Sequence, residues 1–266
     1  MSDFPAKATS KPTLAVALIV KNEASNLDAC LKTVEGWVDE IVILDSGSSD
    51  ETEAIARKYT DKFFVNTAWP GFGPQRRLAQ EYVESDYVLW LDADERVTPE
   101  LKASILLVLQ TAQQNSVFKL VRLNYFLGKA IRHCGWYPEY VVRMHHTQFT
   151  TYNDNLVHEK IVIPQDSHIA SLKGDLIHYP YKNIKHYLAK SSSYGEIWSE
   201  EKALKGKRSS VGKAITHSLS AFIKMYVVKR GFLDGKEGLI LSLLSSYSVL
   251  VKYLYLFEHQ RSSSRE

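Results

Sequence analysis

The sequence predicts an α/β fold built on a doubly wound, mostly parallel sheet. Three observations point there. Continuous apolar runs alternate with amphipathic stretches through the first hundred residues, and strand–helix–strand repeats of this kind build parallel sheets. The runs lack the in-out alternation of a half-exposed strand, so both faces are covered. Three of the runs end in polar clusters: Asn22-Glu23, Asp45 and Asp92-Ala93-Asp94. The C-terminal ends of parallel strands share one edge, where open α/β sheets bind ligands, so the three clusters should converge.

Taken in order, Thr13 to Val20 reads as a buried strand ending in Lys21-Asn22-Glu23. Ser25-Asn26-Leu27-Asp28 then opens an amphipathic helix through Leu31, Val34 and Trp37. Glu40 to Leu44 is a second strand, closed by Asp45 and followed by Ser46-Gly47-Ser48-Ser49-Asp50. A helix from Glu51 to Tyr59 and a short strand from Lys62 to Val65 come next. The loop Trp69-Pro70-Gly71-Phe72-Gly73-Pro74 leads into a helix carrying Gln75, Arg76 and Arg77. Asp86 to Leu91 is the fourth strand, and it breaks into Asp92, Asp94 and Glu95.

The second half has another texture. A helix is expected over Thr98 to Gln114, with Thr98 as N-cap and Pro99 at the first helical position. Strands are expected over Ser116 to Phe126, Tyr140 to Met144 and Lys160 to Ile163, with Leu176-Ile177-His178-Tyr179 closing the region. Lys129 to Tyr140 is a loop rich in polar and aromatic groups, with Trp136, Tyr137 and Glu139 beside Gly135 and Pro138. Flat rings next to hydrogen-bonding groups suit a sugar. Core packing is the plainer account of Phe126 or Phe149, and a loop position makes it less apt for Trp136 and Tyr137.

Composition narrows the class. At 266 residues and 45% hydrophobic, one large α/β domain with a C-terminal appendage is affordable. A net charge of +3 does not call for nucleic acid. Cys30 and Cys134 have no metal-binding spacing, so a reducing cytosol is expected. Residues 1–12 are polar and lack the apolar core of a signal peptide, which places the chain in the cytoplasm. The expected organisation is a catalytic domain over 13–200, with a nucleotide-sugar half (13–115) and an acceptor half (116–200). A basic helical segment over 201–266 follows.

Asp92 and Asp94 offer hard oxygen ligands for Mg2+ or Mn2+ beside a phosphate. Thirteen Asp in the chain give roughly 0.6 D-x-D triplets by chance, so the triplet alone is weak and its position carries the weight. Asp45, backed by Ser46 and Gly47, is placed to hydrogen-bond a nucleobase or ribose. G-x-G-x-x-G and G-x-x-x-x-G-K-[ST] are both absent after the first strand, against NAD and against P-loop chemistry. A diphosphate would then be held by the metal and by Arg76 or Arg77.

Leu18 to Glu23, Asp45 to Thr52, Gly71-Phe72-Gly73-Pro74-Gln75-Arg76 and Leu91 to Glu95 stand in the order and spacing of family 2 glycosyltransferases. The chain resembles the subgroup that adds glucose to the lipopolysaccharide inner core. Gly135-Trp136-Tyr137-Pro138, Val157-His158-Glu159 and Arg230-Gly231-Phe232 are similar to that subgroup's later motifs. Arg77 departs from the family, which usually has Asn there. The resemblance covers roughly residues 13–258. It implies a GT-A fold and inverting, single-displacement transfer of a hexose from a UDP-sugar to a lipid-linked core acceptor. On this reading Asp94 and Asp92 hold the metal, with His178 either completing its shell or serving a structural role. Asn22, Glu23 and Asp45 position the uridine. Glu159 is the base, with Asp154 as alternative. Trp136, Tyr137, Glu139, Arg143 and His158 meet the acceptor.

Lys202 to Lys236 holds nine Lys or Arg and one acid, Asp234. Ile215, Leu219, Phe222 and Tyr226 form an apolar stripe there, as in a helix lying on an anionic membrane or packed on the domain. Gly238 to Phe257 is apolar but carries serines and Lys252, favouring an interfacial or packed helix over a span. The enzyme is therefore expected at the inner face of the cytoplasmic membrane. Rival readings are another lipid-linked or polysaccharide acceptor, a nucleotidyltransferase making the sugar nucleotide, and a non-catalytic scaffold. Lys21-Asn22-Glu23 lacks the Gly-rich loop of the nucleotidyltransferase, and the intact Asp92, Asp94 and Glu159 count against the scaffold.

Overall fold

The computed structural model describes residues 11–156 and 159–262. His158 and most of the polar N-terminal segment therefore lie outside the described residues. The chain forms two compact units. One takes the chain up to Arg122 together with Tyr140–Ile177; the other takes Leu123–Glu139 together with the chain from His178 onward.

The strands are β1 (Leu14–Val20), β2 (Glu40–Asp45), β3 (Phe63–Val65), β4 (Tyr87–Trp90), β5 (Glu95–Val97), β6 (Ser116–Phe126), β7 (Lys129–Ala130), β8 (Glu139–His146) and β9 (His168–His178). Their order is β3-β2-β1-β4-β8-β6-β9-β5, with β7 paired to β6. The first four are mutually parallel, and β8 runs antiparallel to β4. The apolar runs are explained by cover on both faces. Leu14, Val16 and Leu18 of β1 pack with Leu27 and Leu31 of α1 (Ala24–Leu31) and with Leu101 and Ile105 of α4 (Pro99–Val108). On the other face Ala17 packs with Val88, Trp90 and Ala79 of α3 (Phe72–Glu81). Each aliphatic side chain so buried is worth about 1.5–3 kcal/mol over an exposed one.

Several elements differ from expectation. The first helix stops at Leu31, because the chain tightens into three-residue turns and reaches Gly36 at φ +74°. Val34 is buried all the same. The helix after β2 shrinks to α2 (Thr52–Ala56). Conversely α3 begins inside the expected loop, with Gly73 and Pro74 in its first turn, where a missing N–H costs nothing. The expected strand at Lys160–Ile163 is only a bridge between Tyr152 and Ile161; Pro164 follows and cannot donate to a ladder. Thr98 does cap α4, its hydroxyl accepting from Leu101 N at 3.3 Å, but the helix ends at Val108 rather than near Gln114.

The second unit has its own core of Phe126, Ile131, Cys134, Tyr187 and Leu241. It carries α5 (Ile184–Leu204), α6 (Val211–Phe222) and α7 (Gly235–Ser262). A π-helical turn over Ile223–Val228 and a 3-10 turn over Gly231–Asp234 join α6 to α7. Two serines of α7 have partners on its neighbours: Ser246 with Ser218 at 2.9 Å, and Ser245 with Tyr187 at 3.0 Å. The segment Gly231–Arg261 is long and apolar enough to cross a membrane by length and composition.

Candidate active site

The loops after β1 and β2 are stitched together. Asn22 adopts a left-handed backbone (φ 55°), which Asn tolerates better than most residues. Its side-chain oxygen accepts from Ser49 N at 2.8 Å, and its N–H donates to Ser48 Oγ at 2.8 Å. Glu23 N donates to Thr52 Oγ1 at 2.8 Å, and the Glu23 carboxylate accepts from Asn26 Nδ2 at 2.8 Å. Asp45 is buried at the end of β2. One of its oxygens accepts from Gly47 N and Ser48 N at 2.8 and 2.7 Å, and the other from the Ser48 hydroxyl. Ser46 Oγ accepts from Gln75 Nε2 at 3.1 Å. Asn22, Asp45, Ser46 and Gly47 thus do share one strand-end edge. Asp45, expected to face the nucleoside, first of all shapes its own loop.

The end of β4 is a charge network. Arg76 Nη2 donates to Asp92 Oδ1 at 2.6 Å, and Arg143 Nη2 donates to Asp92 Oδ2 at 2.5 Å. Arg143 also reaches Glu95 Oε1 at 3.3 Å, as does Arg122 at 3.4 Å. Glu95 Oε2 in turn accepts from Asp92 N at 2.9 Å. Burial pushes the Asp92 carboxyl up, but the Arg143 and Arg76 guanidiniums outweigh it and hold the group well below the usual carboxylate range. Arg143 is pushed down by burial and held up more strongly by Asp92 and Glu95, so it stays charged.

Arg76 also binds Glu159, its Nε donating to Oε1 at 3.2 Å. It is 3% exposed, and its guanidinium lies over the rings of Trp90 and Tyr152 at 5.4 and 5.0 Å. Its Nη1 has no hydrogen-bond partner, and the two aromatic faces account for that. Both acids and both rings enclose Arg76, and each oxygen of Asp92 accepts from an arginine. Arg77 lies at the surface, paired with Asp154. A cleft of about 430 Å3 runs beside the network, lined by Arg122, Tyr140, Arg143, Tyr152, Glu159 and Lys160 among others.

A model of the family described as glycosyl transferase family 2 matches residues 15–158. The chain belongs to this family. Its α/β architecture is the GT-A fold expected of it. Among relatives, an uncharacterized glycosyltransferase of Rickettsia felis is 24% identical over 259 residues, covering 92% of this chain and 89% of its own. The lipopolysaccharide core biosynthesis glycosyltransferase LpsC of Rhizobium meliloti is 25% identical over 260 residues, covering 91% and 94%. Among solved structures, S. aureus TarS in complex with UDP-GlcNAc gives a TM-score of 0.46 at 13% identity, over 94% of this chain and 92% of that one. Glucosyl-3-phosphoglycerate synthase from Mycobacterium tuberculosis gives 0.36 at 23% identity. That likeness covers 43% of this chain and 44% of the synthase, less than half of either.

Within the glycosyltransferase, Trp136, Tyr137, Glu139 and His178, also expected from sequence, fall in the second unit. Trp136 packs edge-on against Phe126 with centroids 6.2 Å apart, and beside Tyr181 at 6.3 Å, so it braces that unit's core. Arg132 stacks over Tyr137 at 5.1 Å. Glu139 accepts from Asn124 Nδ2 at 2.8 Å, and His178 Nδ1 meets Asn124 Oδ1 at 2.6 Å. The contact with Asn124 fixes the orientation of the His178 ring. Among the described residues no three His, Cys, Asp or Glu side chains gather as a metal cage. A hard divalent cation does not need one, since Mg2+ is commonly held by one or two carboxylates plus substrate phosphates. Half-buried Asp94, an oxygen donor at the end of β4, fits that use.

Sequence reasoning missed Glu95 and Arg122 as partners in this network. The signal was available in the arginines inside otherwise apolar strands, since a buried charge needs a counter-charge. It also missed why Gly73 is glycine. A Cβ there would sit 2.1 Å from Asn153 O, and Gly73 N donates to Asn155 O at 3.1 Å. The N-terminus of α3 therefore lies directly on the loop that leads to Glu159. Gly73→Ala should displace this loop, lower stability by about 1–3 kcal/mol and reduce transfer. Thermal melts and rates measured together would check it, and an unchanged pair would show that the loop position does not matter.

Proposed function

We propose that this glycosyltransferase moves a hexose, glucose in the first instance, from a UDP-sugar to a heptose of the lipopolysaccharide inner core by a single inverting displacement. The observation that carries the reading is Glu159. Its carboxylate lines the cleft and is held by Arg76, the same guanidinium that grips Asp92 at the strand end. An acceptor hydroxyl must lose a proton as it attacks, and a fixed carboxylate on the acceptor side can take it. Arg76 anchors Oε1, leaving Oε2 for that proton. Asp154, the alternative base, is exposed and paired with Arg77, so it is less well fixed.

Asp94 would hold Mg2+ or Mn2+, which supplies charge neutralisation for the departing diphosphate. The stitched loops of Asn22, Glu23 and Asp45 would seat the uridine. Exposed Tyr140 beside Arg122 and Lys160 gives the cleft the mixture of ring face and donors that a sugar acceptor uses. LpsC, which carries lipopolysaccharide core biosynthesis in its name and matches nearly end to end, supports that acceptor class.

The test is a donor screen, UDP-glucose first, on heptose-terminated core lipid with Mg2+ or Mn2+, read by mass of the product. Asp94→Ala should lower transfer roughly a hundredfold or more, and chelators should do the same to the wild type. Undiminished transfer in chelator would remove the metal from the mechanism.

A further inference from the structure

The α6 helix is packed the wrong way round for a soluble protein. The residues it turns to α7 are small or polar. Ala214 is buried, Ser218 bonds to Ser246, and His217 stacks on Tyr253 at 4.3 Å. Its aliphatic residues point outward instead: Val211, Ile215, Leu219 and Ile223 are 50%, 56%, 58% and 45% exposed. They recur every four residues and so form one stripe, which Val227 extends through the π-helical turn. This stripe is one position away from the Phe222 and Tyr226 pair expected from sequence. Those two rings stack on each other at 5.4 Å and are half-buried.

Charge identifies the occupant. The stripe is surrounded in sequence by exposed Lys205, Lys207, Arg208, Lys213, Lys224, Lys229, Arg230 and Lys236. The one acid between Lys202 and Lys236, Asp234, is buried, where it accepts from His133 N at 2.8 Å. The segment therefore presents cations and aliphatics to its surroundings and no exposed carboxylate. That is the chemistry of a helix lying in the headgroup region of an anionic bilayer, with aliphatic residues inserted and lysines against lipid phosphates.

We propose that α6 and the turn after it dock the protein on an anionic lipid surface through the stripe Val211, Ile215, Leu219, Ile223. This builds on the lipid-linked acceptor of the proposed function but does not require it, since binding is measured with no sugar present. The full chain is floated with vesicles of phosphatidylcholine alone or mixed with phosphatidylglycerol. Binding should need the anionic lipid and fall with salt. Ile215→Asp with Leu219→Asp should abolish it without changing the melting temperature, because both side chains are exposed. Lys213→Gln with Lys224→Gln should weaken it about fivefold per lysine.

Transfer to a soluble, delipidated acceptor should be unaffected in both variants, whereas failure of the proposed transfer would show there even in the wild type. Three results would overturn the proposal. They are equal binding by the aspartate variant, a wild-type dimer that this variant dissolves while neither form binds vesicles, and membrane-expressed protein that resists alkaline carbonate and so spans the bilayer.

Discussion

Glu159→Gln should reduce sugar transfer by about 10^3-fold while leaving the protein folded. The amide keeps the shape of the side chain, and its carbonyl oxygen can still accept from Arg76 Nε. Arg76 also retains Asp92 at 2.6 Å, so the strand end keeps its main ion pairs. What is lost is the proton acceptor. The loss should therefore fall on kcat, with KM for donor and acceptor near the wild-type values. Wild-type-like turnover would transfer the role elsewhere, and Asp154→Asn would then be the variant to measure.

Asp92→Asn should be the most destabilising single change at the site, by about 3–5 kcal/mol, or roughly 10 °C in melting temperature. The wild-type carboxylate compensates two buried guanidiniums at once. Removing its charge leaves Arg76 with Glu159, and leaves Arg143 with Glu95, which it already shares with Arg122. The same pair of arginines sets a pH dependence. The Asp92 carboxyl titrates lower in the folded state than in the unfolded chain. Below about pH 4, the ordinary value for an unfolded Asp, the unfolded state therefore binds more protons, and stability falls as the pH drops. Above that value the contribution is fully present. The variant should show a shallower acid-side decline, measurable by urea midpoints at a series of pH values. An identical slope in both proteins would mean that Asp92 is not the group responsible.

The frame of parallel strands was legible because it rests on local signals. Continuous apolar runs read as strands covered on both faces, and their acidic ends then have one place to go. The strand-end positions of Asn22, Asp45 and Asp92 were read in this way. Long-range pairing was not legible. The enclosure of Arg76 was hidden because a helix pattern shows where a residue starts, not what closes over it. Its partners Asp92, Tyr152 and Glu159 lie 16, 76 and 83 positions away. Glu95 and Arg122 were hidden for the same reason, as was the contact between His178 and Asn124.

What the sequence by itself determined is the order of strands and helices up to β4, the family, and a basic, aliphatic C-terminal segment, since each is written in residues close together along the chain. What only the tertiary structure decided is orientation. It turned the aliphatic side of α6 outward and its small side inward, and it turned Arg76 from solvent to a buried knot of carboxylates. Periodicity says that a helix has two faces, but which one is covered depends on what distant segments bring against it.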